Sequence, residues 1–556
     1  MSDLLRETAA GQILRFITGN RLLKYPEELP DFQFQRPKTP SANSSSPPSE
    51  KTAIEPNDST DVEKSLADAD AEADDGKLSS EAIGNQDDEY ISVEWYSEDD
   101  PANPQNWGTS KKVFVAFQIC IYTFTVYIGG AIYAPSIPGV MEEFGCSEIV
   151  ASLGLALYVL GYGLGALLWS PLSEVPKLGR TGIYVVTFGL FTILLVPTSL
   201  VHNLGGLLFL RFLLGWFGSP SLSTGAAGFS DMFGFLKLPY CLAFWACSGT
   251  MAPAIGPIVA GYSVPAKDWH WSQWELLWLS GPILILLFLC LPETSSDTIL
   301  LRRAVRLRKV TGLVNLRSAS EVKMQHMSVK EVVANTLIKP WEMNAKDPAI
   351  LFTTIYCSLC YAIFYSFFEV FPFVFPEMYG FNSGESGLAY LSVPVGVSST
   401  IPIGLLHYGL WVEPKLKKGG FPAPEVWLKP GLVATWFVAI GLFIFAWTAR
   451  PSVHFIVPLL GVAINQSGSY LILNVLFTYL PNIYPKYAAS LFAANNAARS
   501  TLAATAVVFG RPMFLAMGVA GGVSFLAGVA CLCSFAFFGL YHWGPTLRGR
   551  SKFTGL

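Results

Sequence analysis

The sequence predicts an all-α membrane protein: twelve transmembrane helices in two six-helix bundles, preceded by a disordered acidic N-terminal tail. Three observations predict it. The chain is 51% hydrophobic and 14% charged, with a mean hydropathy of +0.41, whereas soluble domains carry about 25% charged residues. Apolar runs long enough to cross about 30 Å of hydrocarbon recur twelve times. A charged stretch at 293–346 divides them six and six.

Residues 1–35 are expected to form an amphipathic helix. Leu5, Ala9, Ile13, Phe16 and Ile17 share one face, flanked by Arg6, Arg15, Arg21 and Lys24. Such a helix suits an anionic inner leaflet; a partly helical tail is the alternative. Residues 36–112 are expected to be a disordered cytoplasmic tail, because Ser, Pro, Asp and Glu dominate up to 100 and too little apolar surface is present to bury. Residues 50–100 hold 18 acids and 3 lysines, while 101–556 hold 28 bases against 18 acids. An acidic tail therefore joins a basic membrane body.

The first bundle, 113–291, has spans at 113–134, 149–170, 181–201, 205–227, 241–264 and 274–291. A cytoplasmic linker at 292–347 follows. The second bundle, 348–540, has spans at 349–371, 386–408, 430–449, 453–480, 488–510 and 517–540, before a cytoplasmic tail at 541–556. Lys and Arg in short loops set the orientation. Lys177, Arg180, Lys237, the linker (ten bases against five acids over 293–346), Lys415, Lys417, Lys418, Lys429 and Lys486 fall on one side. The other side carries only Lys267, Arg450 and Arg511. Both termini are thus expected in the cytoplasm.

Several function classes lack their signatures. There is no G-x-x-x-x-G-K-[ST] phosphate cradle for an ATP-driven pump and no G-x-S-x-G nucleophile, and the six His form no cluster. No enzyme activity, cofactor, metal or nucleic-acid partner is expected. Solute moved uphill must draw on an ion gradient. The expected partners are a small-molecule substrate and the bilayer, and the chain is expected to act as a monomer.

Ionisable groups inside spans are site candidates, because they are costly in hydrocarbon unless paired or facing water. Glu369 in the seventh span is the natural proton carrier, or else a solvated charge at a helix end. Arg211 in the fourth span pairs with a carboxylate or biases a neighbour's proton release, or else binds backbone carbonyls of a neighbouring helix. Arg499 lies near mid-depth of the eleventh. Beside these run stripes that cannot face lipid unsatisfied: Gln118 and Tyr122 in the first span, Tyr361, Tyr365 and Phe368 in the seventh, Gln466, Tyr470 and Asn474 in the tenth, and Asn495 and Asn496 in the eleventh. They line a cavity for bulky, weakly polar or cationic solutes, or they glue helices together.

Two stretches carry helix breakers. Gly161–Arg180 begins with glycines four apart, a spacing that lets helices approach closely. It ends in a polar turn with Ser173, Glu174, Lys177, Gly179 and Arg180, either a latch or an ordinary anchoring loop. In the fifth span, Gly249, Pro253, Gly256, Pro257 and Gly261 make a kink-prone face, either a gate or a close helix contact.

These pieces together resemble one family. The Gly161–Arg180 stretch is similar to the signature loop of the major facilitator superfamily. Arg211, Gly215 and Gly218 resemble its fourth-span motif, and PAIGPIVAGY at 253–262 resembles the fifth-span motif of its antiporters. NPQNW at 103–107 and PET at 292–294 resemble the benomyl- and azole-resistance type among fungal twelve-span drug:proton antiporters. The loop departs from the usual pattern at Ser170, at Thr181 and in its four residues Val175–Leu178.

The resemblance implies a plasma-membrane exporter coupled to the proton gradient through Glu369, Arg211 and Asp231, carrying xenobiotics such as azoles, benomyl or cycloheximide by alternating access. It also implies that Glu174 and Arg180 join Asp231 in a charge-relay latch. The alternatives are the same fold exporting a physiological solute such as a polyamine or organic acid, and a non-transporting membrane sensor.

Overall fold

No water satisfies the backbone in a membrane interior, so each crossing segment must bond its own N–H and C=O groups. The chain is accordingly helical wherever it is apolar. The computed structural model describes residues 2–32, 90–325, 338–418, 423–484 and 488–551. Lys486, the last residues of the 541–556 tail and the expected disorder at 36–89 lie outside the described residues.

Two short helices open the chain, α1 (Ser2–Glu7) and α2 (Ala9–Ile17). The first half then comprises α3 (Thr109–Ala131), α4 (Ile137–Phe144), α5 (Glu148–Ser173), α6 (Gly179–Ser199), α7 (Leu204–Gly218), α8 (Pro220–Met232), α9 (Leu238–Ala266) and α10 (Trp271–Cys290). The linker is helical, with α11 (Ser296–Thr311), α12 (Ala319–Gln325) and α13 (Lys339–Lys346). The second half comprises α14 (Pro348–Pro372), α15 (Ser383–Ala389), α16 (Ser392–His407), α17 (Glu413–Lys417), α18 (Lys429–Thr448), α19 (Ile456–Ile483) and α20 (Ala488–Arg550).

Among the described residues, ten helical segments are long and apolar enough to cross a membrane. The fourth expected span falls on α7 and α8, which meet at Ser219. The eleventh and twelfth both fall within α20, broken at Gly518, whose φ of 70° is left-handed. Asp347 caps α14 by accepting from the N–H groups of Ala349 and Ile350, and Tyr484 donates to the same carboxylate at 2.5 Å.

Glycines let the helices touch backbone to backbone. A Cβ at Gly161 of α5 would lie 2.3 Å from the Phe212 carbonyl oxygen, and one at Gly215 of α7 would lie 2.1 Å from that of Tyr158. Across the second half, a Cβ at Gly441 of α18 would lie 2.4 Å from the Asn465 nitrogen of α19. The two halves meet where α5 packs on α20 and where α9 packs on α15 and α16.

The polar segments gather at one end, called here the linker end. Residues 90–107, expected to be part of a disordered tail, are instead folded onto the linker. Ile91–Ser92 (β1) pairs in parallel with Leu316–Arg317 (β2). Asp100 accepts from Arg303 of α11 at 2.7 Å, and Glu27 lies 3.4 Å from Arg303 and 3.3 Å from Arg306. Arg6, Arg15 and Arg306 all lie over the Tyr25 ring. Sequence reasoning missed this because each partner sits far along the chain from the other. Burial alone would raise the Asp100 carboxyl, but Arg303 and two backbone N–H groups hold it below the usual aspartate range.

The amphipathic helix expected over 1–35 is confined to α1 and α2. Arg15 of α2 points inward to Glu28 at 2.6 Å, whereas Phe16 is 86% and Ile17 73% exposed.

The Asp100 interaction predicts an acid-resistant attachment. A depressed carboxylate contributes stability above its unfolded pKa, and loses it as pH falls through the folded value. Residues 90–107 should therefore stay attached down to about pH 4. Asp100→Asn should release them at neutral pH, raising their limited-proteolysis rate about a hundredfold, since loss of one partner of a buried pair costs about 3 kcal/mol or more. An unchanged rate would show that the pair does not hold the segment.

Candidate functional site

Between the halves lies a cavity lined by both. Thr123 and Tyr127 of α3, Trp245, Gly249 and Pro253 of α9, Tyr361 and Phe364 of α14, Gln466, Tyr470, Asn474 and Phe477 of α19, and Arg499 of α20 line it. Aromatic rings and small residues share the wall, with amides and hydroxyls among the polar points. Arg499 is buried, donates to Asn496 Oδ1 at 2.8 Å and to the Tyr127 hydroxyl at 2.9 Å, and lies over the Tyr361 ring. The Tyr127 bond crosses from one half to the other.

Not every expected cavity residue faces the cavity. Gln118 donates to the Cys290 carbonyl at 3.3 Å, and Tyr122 packs on Tyr184 and Phe188, so both glue the first half together. Thr123 and Tyr127 occupy the cavity face instead, one residue further along a helix that turns about 100° per residue. Phe368 stacks on Tyr390, and Asn495 is buried outside the lining. The polar seventh- and tenth-span positions Tyr361, Gln466, Tyr470 and Asn474 do line it. Tyr470 also reaches across the halves to the Ala243 carbonyl at 2.8 Å.

At the end away from the linker, α5 and α20 close over the cavity. Tyr162 hydrogen-bonds to Tyr361, and also to Tyr365 at 3.1 Å. Beyond this layer Glu148 of α5 pairs with Arg511 of α20. Glu369 is buried between them, beside Ser152 of α5 and packed 3.3 Å from the position a Cβ on Gly510 would take. Its Oε1 has no hydrogen-bond partner. The solvated helix-end alternative for Glu369 is therefore set aside. At the linker end the halves meet through Tyr240 to Glu413 at 2.6 Å and Tyr408 to the Leu236 carbonyl at 2.9 Å.

Arg211 has no carboxylate partner among the described residues. It donates from Nε to Gly154 at 3.0 Å, from Nη1 to Gly129 at 2.9 Å and from Nη2 to Gly130 at 3.1 Å, all carbonyl oxygens. Tyr133 and Tyr158 cover its faces. This is the backbone-carbonyl alternative, and it replaces the expected pairing with an acid.

The fifth-span glycines are close helix contacts. A Cβ at Gly249 would lie 2.9 Å from the Tyr127 ring, at Gly256 2.6 Å from the Ile132 nitrogen, and at Gly261 2.7 Å from the Ser383 carbonyl of the other half. Pro257 presents its carbonyl 2.5 Å from where a Gly387 side chain would begin. Gly249 and Pro253 also line the cavity, so contact and wall coincide.

The signature loop is rearranged relative to expectation. Arg180 donates to Asp231 at 2.6 Å, but Glu174 is exposed and makes no ion pair among the described residues. Glu293 of the PET segment takes that place, accepting from the Arg180 backbone N–H at 3.1 Å. Gly179 is required twice over, by its φ of +72° and by the 2.3 Å from its Cβ position to Glu293 Oε2. Thr181 donates to the Pro292 carbonyl at 2.8 Å, which gives the departure there a structural partner. Ser173 bonds to the Ser170 carbonyl at 2.7 Å, and Lys177 is exposed. All these bonds stay within the first half and the linker start. The N-terminal residues join them, since Thr8 bridges to Pro292 and the Glu293 N–H donates to Glu7.

Comparison with known proteins places this geometry. The Major Facilitator Superfamily profile matches residues 119–507. The MFS-type transporter pyvG of Aspergillus violaceofuscus is 43% identical over 464 residues, covering 83% of this chain and 85% of the relative. Fluconazole resistance protein 1 of Saccharomyces cerevisiae is 37% identical, with 83% and 85% covered. Among solved structures, the proton:xylose symporter XylE superposes with a TM-score of 0.56 at 12% identity, over 78% of this chain and 97% of that one.

The carbonyl cage predicts that Arg211→Lys is not conservative. An ammonium cannot fork to three carbonyls, and losing two charged hydrogen bonds costs about 3 kcal/mol or more. The thermal midpoint of the purified protein should fall. A midpoint equal to wild type, with transport lost, would show that Arg211 serves coupling rather than architecture.

Proposed function

The chain belongs to the major facilitator superfamily, and on that premise we propose that it is a proton-driven exporter of bulky xenobiotics. It works as a monomer in the plasma membrane, with both termini and the linker in the cytoplasm. The two halves rock about the central cavity, which takes a compound from the cytosol and releases it outside. Fluconazole, named in one relative, is a representative cargo. The excess of bases at the linker end supports the orientation, and the family supports transport rather than catalysis.

The observation that carries the reading is a cavity built by both halves with one buried, half-unpartnered carboxylate above it. Release to the outside requires the Glu148–Arg511 and Tyr162–Tyr361 contacts to part, since they join α5 to α20 and to α14 across the far end. Glu369 sits in that seam. Its Oε1 is unpartnered while the seam is closed. Opening hydrates it and exposes it to external protons. Proton uptake then resets the closed seam, and proton loss on the inner side completes the exchange. Loading from the cytosol requires the Tyr240–Glu413 and Tyr408–Leu236 contacts to part in turn.

In this reading Asp231 and Arg180 fix the linker-end turn, and Arg211 holds the first half rigid enough to rock as a body. The experiment that tests the function is a resistance profile in cells stripped of their own exporters, with and without a proton uncoupler. Uncoupler-sensitive resistance to fluconazole is expected; resistance that survives the uncoupler, or none to any compound, would overturn it. In proteoliposomes Glu369→Gln should abolish efflux driven by a pH gradient while leaving binding intact. Wild-type efflux by that variant would remove Glu369 as the proton carrier.

A further inference from the structure

We propose that the cavity selects acceptor-bearing neutral or anionic compounds and rejects lipophilic cations, with Arg499 as the discriminating group. The proposal rests on the reading of the cavity as the transport site. It replaces the expectation of weakly polar or cationic cargo that the aromatic stripes alone suggested.

Five helices contribute to the wall, and no Asp or Glu is among the lining residues. Arg499 is the one charged residue among them. Its Nε and Nη2 are held by Asn496 and Tyr127, while its Nη1 has no hydrogen-bond partner among the described residues. Nη1 is also absent from the fully enclosed unpartnered atoms, so it faces accessible space. Glu369 stands two helical turns from Tyr361 on α14, beyond the layer where Tyr162 meets Tyr361 and Tyr365. It therefore does not neutralise the guanidinium from within the cavity.

A cation entering this space meets a fixed positive charge in a low-dielectric wall with no carboxylate to offset it. The rings attract cations, but the Tyr361 face is already covered by Arg499 itself. A carboxylate, phenolate, carbonyl or azole nitrogen meets a free N–H on Nη1. A hydrogen bond to a charged donor is worth about 1.5–3 kcal/mol, or roughly tenfold or more in affinity. Gln466 and Asn474 add neutral polar points to the lining. Size is then set by the rings and sign by one residue.

Two xanthene dyes of matched shape test this on the full-length purified protein. Fluorescein is anionic and rhodamine 123 cationic at neutral pH. By fluorescence anisotropy, fluorescein should bind about tenfold tighter or more. Arg499→Gln should erase or invert that preference, and Arg499→Lys should retain its direction, with thermal midpoints reporting that each variant is folded. Equal or tighter binding of rhodamine 123 to wild type, or an unchanged ratio in Arg499→Gln, would overturn the proposal, as would binding of neither dye. The wild-type ratio stands even if a variant misfolds. Gradient-driven efflux of rhodamine 123 by wild type would sink the selectivity and leave the export reading standing. The expected dye preference without any gradient-driven efflux would sink the export reading alone.

Discussion

The first half is organised by one buried guanidinium. A charge in hydrocarbon costs several kcal/mol unless its donors are satisfied, and Arg211 finds its acceptors in the main chain. Gly129 and Gly130 end α3, and Gly154 lies in the second turn of α5. These carbonyls can be approached because no side chain shields them. The result ties α3 and α5 to α7 at a single point. The backbone contact of Gly161 and Gly215 continues the same seam toward the linker end. Neutral carbonyls do not titrate, so the tie is independent of pH.

A second polar assembly does at the linker end what Arg211 does in the interior. Arg303 and Arg306 are gathered by Glu27, Asp100 and Tyr25, and Glu293 joins the turn at Gly179 and Arg180. The N-terminal residues and the linker therefore brace the first half specifically. The second half has its own anchor in Asp347 and Tyr484. Two separately braced bodies, joined mainly through α5 with α20 and α9 with α15 and α16, suit a motion of one against the other.

Much of this was legible in the sequence, for a physical reason. A span must be about 20 residues and apolar whatever its neighbours, so the segments and their breakers can be read one at a time. Which face looks where is a different matter. A helix apolar on all sides carries almost no amphipathic signal, and the first-span stripe through Gln118 and Tyr122 pointed one residue away from the face of Thr123 and Tyr127. Ionisable residues were found because they are rare, but their partners were not. Arg211 looked like half of an ion pair, yet its partners are carbonyls, which every residue possesses. Glu293 displaced Glu174 because the chain returns to the turn from over a hundred residues away. The Glu148–Arg511 pair was hidden for the same reason, since each charge reads as an ordinary helix-end anchor.

The break at Gly518 has a mechanical consequence. In place of a loop, one left-handed residue separates the two stretches of α20, and Leu491 near its start shares a buried cluster with Phe537 and Leu540 near its end. The two stretches thus form a stiff hairpin with almost no slack at its tip. Arg511 lies close to that tip, and Arg499 three turns below it. A hairpin of this kind acts as a lever: strain applied at the tip has no flexible joint in which to dissipate, and is delivered along the shaft to the cavity wall. Lengthening the tip would decouple the two arms without touching a single charged group.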